Sequence, residues 1–287
     1  MIDKPIAIPS RTKAILEKHG MYAKKNFGQN FLTDNILLDE IVQESGVAEN
    51  DQVLEIGVGA GALTKALAKK CKSVLGYEID LKLKPILSEV LEDYSNVELV
   101  FKDVLKDGVS EIDKKLSKGY YLVANLPYYI TTPIILEFLE KSTKVKKMVI
   151  MVQEEVAERL ASKEGSSLYG AITVAINLRG SAKIIKRVPR EKFTPSRYVD
   201  SAVVCIEIDK DKFKGVNLKE VRDVVRAGFS SRRKMLVNNL INSFKLSRED
   251  AESIIAKSGV SPTARAEQLS AEQFVLISQN YKEYKNG

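Results

Sequence analysis

One stretch, Val53-Leu-Glu-Ile-Gly-Val-Gly-Ala-Gly-Ala-Leu-Thr64, constrains the fold of this chain more than any other. It begins as a short apolar run, continues with glycines at alternate positions and leads into a helical pattern over residues 62–68. In α/β folds, a strand, a glycine-rich turn and a helix present backbone N–H groups to a nucleotide-like ligand. A Cβ would block both the positive φ angles and the close approach of the ligand. The stretch therefore predicts a site for an adenosine-containing cofactor.

The same pattern leaves the identity of that cofactor open. Gly57-x-Gly59-x-x-Ala62 loosely satisfies the dinucleotide fingerprint, and Glu78 follows at the distance expected of an acid that binds ribose. The pattern suits a nicotinamide dinucleotide and S-adenosylmethionine equally, so residues elsewhere in the chain have to decide between them. A tight strand-to-helix turn without a ligand is the remaining interpretation.

Composition indicates a soluble protein of one large or two modest domains. The chain has 287 residues, 44% of them hydrophobic, and no apolar run long enough to span a membrane. The N-terminus lacks the apolar segment of a secretory signal. Cys71 and Cys205 are the only cysteines, which suggests a reducing compartment and no zinc site. We therefore expect a cytoplasmic, metal-free monomer, and its single histidine, His19, argues against chemistry that needs an imidazole base.

Basic residues are concentrated in three parts of the chain. The formal net charge is +7, and the clusters fall at residues 11–25, 179–192 and 224–248. Three basic clusters favour a polyanionic partner, whose phosphates would supply salt-dependent affinity. For any one cluster, a merely solvated basic surface is the alternative. The candidate RNA-binding residues in the third cluster are Arg226, Arg232, Arg233 and Lys234.

From residue 53 onward, strand and helix patterns alternate, which predicts a doubly wound, mostly parallel sheet. Strands are expected at residues 53–56, 73–77, 97–101, 121–124 and 148–152, with antiparallel additions at 183–188 and 202–208. Thr132, followed by Pro133, is expected to cap a helix.

The character of the chain changes after a polar stretch at residues 209–215, which reads as a linker. Helices are expected at residues 218–229 and 231–244, a third from Ser247, and a last one from a capping box formed by Ser270 and Gln273. The sequence thus predicts a cofactor-binding α/β domain at residues 1–210 and a small helical RNA-binding domain at residues 211–287.

Four successive predicted strands end in Gly57, Glu78, Asp103 and Asn125. Ligands of parallel sheets bind at the carboxyl ends of the strands. A structural protein has no need for an acid or an amide at every such end, so this recurrence is the strongest purely physical indication of a site.

The segment Asn125-Leu126-Pro127-Tyr128 suits the binding of a planar base with an exocyclic amine. The lone pair of adenine N6 is delocalised into the ring, so N6 is a poor nucleophile. Hydrogen bonds from N6 to the Asn125 side-chain oxygen and to a backbone carbonyl, expected to be that of Leu126, favour a pyramidal N6. Pro127 fixes the backbone, and Tyr128 can stack on a flipped-out base. A strand-ending turn with core aromatic residues is the structural alternative.

Four segments resemble motifs of the ribosomal RNA adenine N6-dimethyltransferases, and they occur in the family's order. They are Phe27–Leu32, Leu54–Gly61, Asn125–Tyr128 and Phe193–Val203, and the resemblance spans roughly residues 20–270. It is closest to the KsgA branch, which dimethylates two adjacent adenosines near the 3′ end of 16S rRNA during assembly of the small subunit. The Erm branch, which acts on large-subunit rRNA, usually reads Asn-Ile-Pro-Tyr and lacks so full a Val-Asp-Ser-Ala-Val.

The resemblance implies a fold, a cofactor and a set of roles. The fold would be the Rossmann-like fold of S-adenosylmethionine-dependent methyltransferases. Asn30 and Leu32 would contact the methyl donor, and the Gly57 backbone would line its methionine part. Glu78 would bind the ribose, Asp103 the cofactor adenine, and Asn125 both the cofactor and the target N6. The target adenine would lie between Tyr128 and Phe193.

Two departures from the family pattern are mild. Lys102 stands where the family often has glycine, and Arg197 or its neighbour stands where it often has a second proline. Three rival functions remain at this stage: an Erm-type enzyme for 23S rRNA, a nicotinamide-dependent dehydrogenase, and a non-catalytic RNA-binding assembly factor. The dehydrogenase would leave the Asn-Leu-Pro-Tyr segment and the basic clusters without a role.

Overall fold

A computed structural model describes residues 6–21 and 30–286 of the chain. They form two compact units, of which the first contains the described residues up to Ala157 together with Lys183–Ile208. The second contains Glu158–Ala182 and the residues from Asp209 onward. None of the described helices is long and apolar enough to cross a membrane.

A seven-stranded sheet organises the first unit, and a two-stranded sheet accompanies it. The strands are β1 Phe31–Leu32, β2 Gln52–Ile56, β3 Ser73–Glu78, β4 Val97–Phe101, β5 Tyr120–Asn125, β6 Val145–Gln153, β7 Gly180–Val188, β8 Phe193–Thr194 and β9 Ser201–Ile208. The large sheet has the order β4-β3-β2-β5-β6-β9-β7, and β1 pairs with β8. The first five strands of that order are parallel, whereas β9 runs antiparallel to β6. The prediction of a mostly parallel sheet with a late antiparallel addition is confirmed.

Helices account for most of the remaining chain. They are α1 Pro9–Lys18, α2 Asn35–Ser45, α3 Ala62–Ala68, α4 Lys84–Val90, α5 Val104–Asp107, α6 Val109–Lys115, α7 Thr131–Lys141, α8 Glu154–Leu160, α9 Ala171–Asn177, α10 Leu218–Gly228, α11 Leu236–Phe244, α12 Arg248–Lys257 and α13 Ala271–Asn286. Most residues of strands β2, β5 and β6 are buried, and apart from Glu55 the buried ones are hydrophobic, as expected of parallel strands covered on both faces.

Two helix starts differ from expectation. The predicted cap Thr132 lies inside α7, which begins at Thr131 after a 3₁₀ turn at Tyr128–Ile130 and has no side-chain cap. Because the 3₁₀ turn leads directly into α7, Ile130, the residue before the helix, does not have the extended backbone that a capping side chain requires. Helix α11 begins at Leu236 rather than at residue 231, because turns occupy the basic residues before it.

The second unit is helical, as predicted, and its caps follow the sequence signals. Ser247 accepts a hydrogen bond from the backbone N–H of Asp250 at 3.0 Å. Ser270 and Gln273 form the expected reciprocal capping box, with bonds of 3.0 and 3.3 Å. Phe274 is fully buried in the core of this unit.

The second unit contains a segment that sequence analysis assigned to the first domain. Tyr169, Val174 and Leu178 lie within Glu158–Ala182 and are buried in the same hydrophobic cluster as Phe274. The boundary expected from the sequence lies at residue 210, and the last segment of the first unit ends at Ile208. The sequence analysis did not assign Glu158–Ala182 to the second unit, because the sequence of these apolar residues does not indicate which hydrophobic core they join.

Candidate active site

The parallel sheet has a topological switch point between β2 and β5. From β2 the chain proceeds outward to β3 and β4, and it then returns to place β5 on the other side of β2. In the register, Ile56 lies beside Tyr77 on one side and Ala124 on the other. The residues that follow these strands therefore meet at one edge, where open α/β sheets bind their ligands.

A cavity of about 690 Å³ lies at this edge, within the range of small-molecule sites. All the residues assigned to the cofactor line it, and so does Pro127: Asn30, Leu32, Gly57, Glu78, Asp103 and Asn125. The side chains of Leu126 and Phe193 are buried and, like Tyr128, are not part of its lining. The structure thus brings the six predicted cofactor residues together from five separate places in the sequence.

The glycine loop requires glycine for two different reasons. Gly57 has a φ of +79°, and its backbone N–H donates to the Tyr77 carbonyl at 2.8 Å. Gly61 has a φ of +83°, and a Cβ there would lie 3.1 Å from Leu87 and 3.2 Å from Val90. The first glycine shapes the rim of the cavity, and the second lets the loop pack against α4.

Glu78 ties the glycine loop to the end of β3. One carboxylate oxygen accepts from the Gly59 N–H at 2.8 Å, and the other accepts from Ile79 and Asp80 at 2.8 and 2.9 Å. Burial raises the pKa of Glu78, and these backbone N–H groups oppose that effect by stabilising the charge. Glu78 therefore braces the loop and also presents a carboxylate to the cavity.

Asp103 lies at the end of β4 and caps α5. Its Oδ1 accepts from the Leu105 N–H at 3.0 Å, and the residue lines the cavity. Asp103 therefore caps a helix and lines the cavity at the same time. An N-cap fixes a carboxylate against a helix start, so the same bond holds Asp103 at the cavity wall.

Glu55 is a further acid at the cavity, and its environment is unusual. It is 1% exposed, and neither of its carboxylate oxygens has a hydrogen-bond partner among the described residues. Burial raises the pKa of Glu55 to about 8; the Thr64 hydroxyl opposes this effect and the Glu78 carboxylate adds to it. Without a ligand, Glu55 is therefore mostly protonated at neutral pH, and a cationic ligand group in the cavity would favour its ionised form.

The two-stranded sheet places the N-terminal segment beside a distant motif. Leu32 of β1 pairs with Phe193 of β8, and Phe31 pairs with Thr194. Asn30 lies immediately before β1 and lines the cavity. The remaining motif residues, 27–29, lie outside the described residues, as do the lysines at 24 and 25 of the first basic cluster.

Arg197 joins the predicted catalytic residues into one cluster. Its guanidinium donates to the Asn125 side-chain oxygen at 2.8 Å, to the Tyr128 hydroxyl at 2.7 Å and to Ser201 Oγ at 3.0 Å. Its Cζ lies 3.9 Å from the centre of the Phe193 ring and 4.6 Å from that of Tyr128. Sequence analysis noted Arg197 only as a departure from a proline, and no local signal pointed to these contacts.

The candidate RNA-binding residues of the second unit have different surroundings. The guanidinium of Arg232 donates to the backbone carbonyls of Ser167 and Tyr169. Arg233 and Lys234 are exposed in the turn before α11, and the exposed Arg226 lies 3.9 Å from Asp223. Arg232 thus has a structural task, whereas the other three present their charges to solvent.

The described residues contain no candidate metal site. Within residues 6–21 and 30–286, no group of three or more His, Cys, Asp and Glu side chains is placed to hold a metal ion.

Comparisons with known proteins agree with the fold. Curated relatives called ribosomal RNA small subunit methyltransferase A include one from Bacillus licheniformis, 42% identical over 98% of this chain and 99% of the relative. Another, from Shouchella clausii, is 42% identical over 96% of each chain.

Solved structures with the same fold include a dimethyladenosine transferase from Plasmodium falciparum, with a TM-score of 0.75 and 24% identity over 89% of this chain and 98% of that one. The 23S rRNA methyltransferase ErmE has a TM-score of 0.70 and 25% identity over 88% of this chain and all of its own. The family model described as ribosomal RNA adenine dimethylase matches residues 20–283. The chain therefore belongs to the ribosomal RNA adenine dimethylase family and is a methyltransferase.

Proposed function

We propose that this enzyme transfers methyl groups from S-adenosylmethionine to N6 of two adjacent adenosines near the 3′ end of 16S rRNA, in an assembling small subunit in the cytoplasm. The observation that carries the proposal is the meeting of Glu78, Asp103 and Asn125 in one cavity, beside the aromatic pair Tyr128 and Phe193. The relatives with about 42% identity carry small-subunit names, which favours this target over 23S rRNA.

The cavity fits the methyl donor by the chemistry of its lining. Two carboxylates at strand ends, Glu78 and Asp103, suit ribose hydroxyls and an adenine amine, respectively. The unpartnered Glu55 suits the cationic amino-acid end, directly or through a water. The positive φ angles of the glycine loop bring backbone close to the ligand.

On the acceptor side, Asn125 supplies the oxygen that receives an N6–H bond. That bond draws the N6 lone pair out of conjugation, and the donor supplies an electrophilic methyl group on a sulfonium. With S-adenosylmethionine bound, N6 would take the methyl group as the sulfonium C–S bond breaks, and the N6 proton would be lost to solvent. No imidazole base is required, in keeping with the single histidine of the chain.

The second unit is proposed to hold the rRNA. Arg226, Arg233 and Lys234 present exposed charges to phosphates, while Arg232 stabilises the segment that carries them. Such contacts give affinity without base specificity, so the choice of adenosine belongs to the site in the first unit.

The test is labelled methyl transfer to purified 30S and 50S particles from cells that lack this protein, with mass spectrometry of the rRNA. We expect dimethyladenosine in 16S rRNA with the wild-type protein and its loss with Asn125→Ala. Transfer to 50S particles alone would favour the Erm-type activity, and full activity of Asn125→Ala would overturn the N6-acceptor role.

A further inference from the structure

The side chain of Arg197 occupies the space between two aromatic rings. Its guanidinium carbon lies 3.9 Å from the ring centre of Phe193 and 4.6 Å from that of Tyr128. Phe193 is only 2% exposed. A planar base that stacks on both rings needs the volume that the guanidinium fills.

The polar contacts of Arg197 also resemble those of an adenine amine. A guanidinium N–H reaches the Asn125 side-chain oxygen at 2.8 Å, the atom proposed to accept from N6. A second nitrogen donates to Tyr128 and to Ser201. The guanidinium is thus a planar donor, stacked on aromatic rings and bonded to the same amide oxygen that the base would use.

The hydrogen bonds of Arg197 all go to neutral groups, so they do not balance its charge. Arg197 is 7% exposed, its Nε has no hydrogen-bond partner in the described part of the chain, and no described carboxylate pairs with it. A buried cation without a counter-charge is costly to the folded state. The next two residues, Tyr198 and Val199, are 84% and 44% exposed, so the segment that carries Arg197 lies at the surface.

Resting on the proposed function, we propose that Arg197 is a positioning residue that acts as a resident placeholder for the target adenine. Before RNA binds, Arg197 holds the place of the base beside the two rings and orients the Asn125 side-chain oxygen by a hydrogen bond. The entering adenine replaces the guanidinium, taking over its stacking and its bond to Asn125. The displaced Arg197 guanidinium then moves into solvent, where it can pair with phosphates of the rRNA.

The kinetic test compares wild type with Arg197→Met, which keeps the length and volume but removes the charge and the donors. With undermethylated small-subunit particles, we expect KM to fall about 10-fold, equivalent to about 1.4 kcal/mol, and kcat to stay unchanged. Arg197→Lys keeps the charge and one donor but not the planar group, so its KM should lie between the two. Lys114→Met removes an exposed charge from the same unit and serves as the control.

Two results would overturn the placeholder. An unchanged KM would mean that Arg197 does not compete with the base. A fall in kcat, with the melting temperature and S-adenosylhomocysteine affinity of Arg197→Met at wild-type values, would mean that it assists the transfer instead. If Arg197→Met does not fold, the same reasoning applies to Arg197→Lys.

Failure of the proposed function gives a different result. Wild-type protein would then bind S-adenosylhomocysteine, as measured by calorimetry, yet transfer no methyl group to either particle. The placeholder would be decided by adenosine binding in the presence of saturating S-adenosylhomocysteine. Tighter binding by Arg197→Met than by wild type supports the placeholder, and equal or weaker binding refutes it.

Discussion

Glu55 makes the stability of this protein depend on pH in a direction opposite to that of most carboxylates. It is fully buried, and burial raises its pKa from an ordinary value of 4.5 to about 8. Between these values the folded chain holds a proton that the unfolded chain has released. Stability must therefore fall as pH rises through this window, since the folded state binds more protons.

The magnitude follows from the size of the window. The free energy of unfolding falls by about 1.4 kcal/mol for each pH unit over which only the folded state holds the proton. Raising the pH from 5 to 8 should therefore lower it by about 3 kcal/mol. Glu55→Gln removes this loss. A buried amide adds a cost of its own, but that cost does not vary with pH, so the pH dependence isolates the ionisation.

The assay is urea unfolding of the full chain at pH 5, 6, 7 and 8, for wild type, Glu55→Gln and Glu44→Gln. Glu44 is an exposed carboxylate on α2 and controls for the change of one charge. We expect Glu55→Gln to gain about 3 kcal/mol on wild type between pH 5 and pH 8, and Glu44→Gln to follow wild type. Parallel curves for Glu55→Gln and wild type would refute the reasoning.

Four further predictions concern cofactor binding, the glycine loop and the basic turn. Glu78→Gln should weaken S-adenosylhomocysteine binding about 10-fold in calorimetry, because an amide nitrogen cannot accept the N–H bonds that both oxygens now accept; unchanged affinity would contradict this. Gly61→Ala should lower the free energy of unfolding by about 2 kcal/mol more than Gly259→Ala, since both have positive φ but only a Cβ at 61 meets apolar side chains of α4. Arg232→Ala should destabilise the protein by about 1–3 kcal/mol, as two backbone carbonyls lose their donor. Arg233→Ala should leave the melting temperature unchanged but reduce the slope of log affinity for rRNA against log salt by about 1. Equal melting temperatures of Arg232→Ala and Arg233→Ala would argue against a structural role for Arg232 alone.

Local sequence signals were sufficient for much of the fold. The apolar run before the glycines predicted β2 to within one residue, and β4 was predicted at its observed bounds. Ser270 and Gln273 form the capping box that their spacing predicted. In each case the determining interactions lie within a few residues along the chain, so the sequence pattern contains them.

Features that depend on distant partners were predicted less well. The pairing of Leu32 with Phe193 joins residues from opposite ends of the first unit, and short strands of two residues have no periodicity to detect. Helices α5, α6 and α9 were not predicted. The segment Glu158–Ala182 joins the second unit through the burial of Tyr169, which depends on the helices that surround it.

The sequence by itself determined which residues end the parallel strands, and a parallel sheet necessarily collects such ends at one edge. That is why Gly57, Glu78, Asp103 and Asn125 could be assigned to a common site before any geometry was known. The protonation of Glu55 and the contacts of the Asn125 side chain, in contrast, depend on tertiary structure. Burial gives Glu55 its raised pKa, and the packing of a surface segment against two rings places Arg197 on Asn125. Desolvation and stacking depend on which groups surround a side chain in space, and the order of residues along the chain does not contain that information.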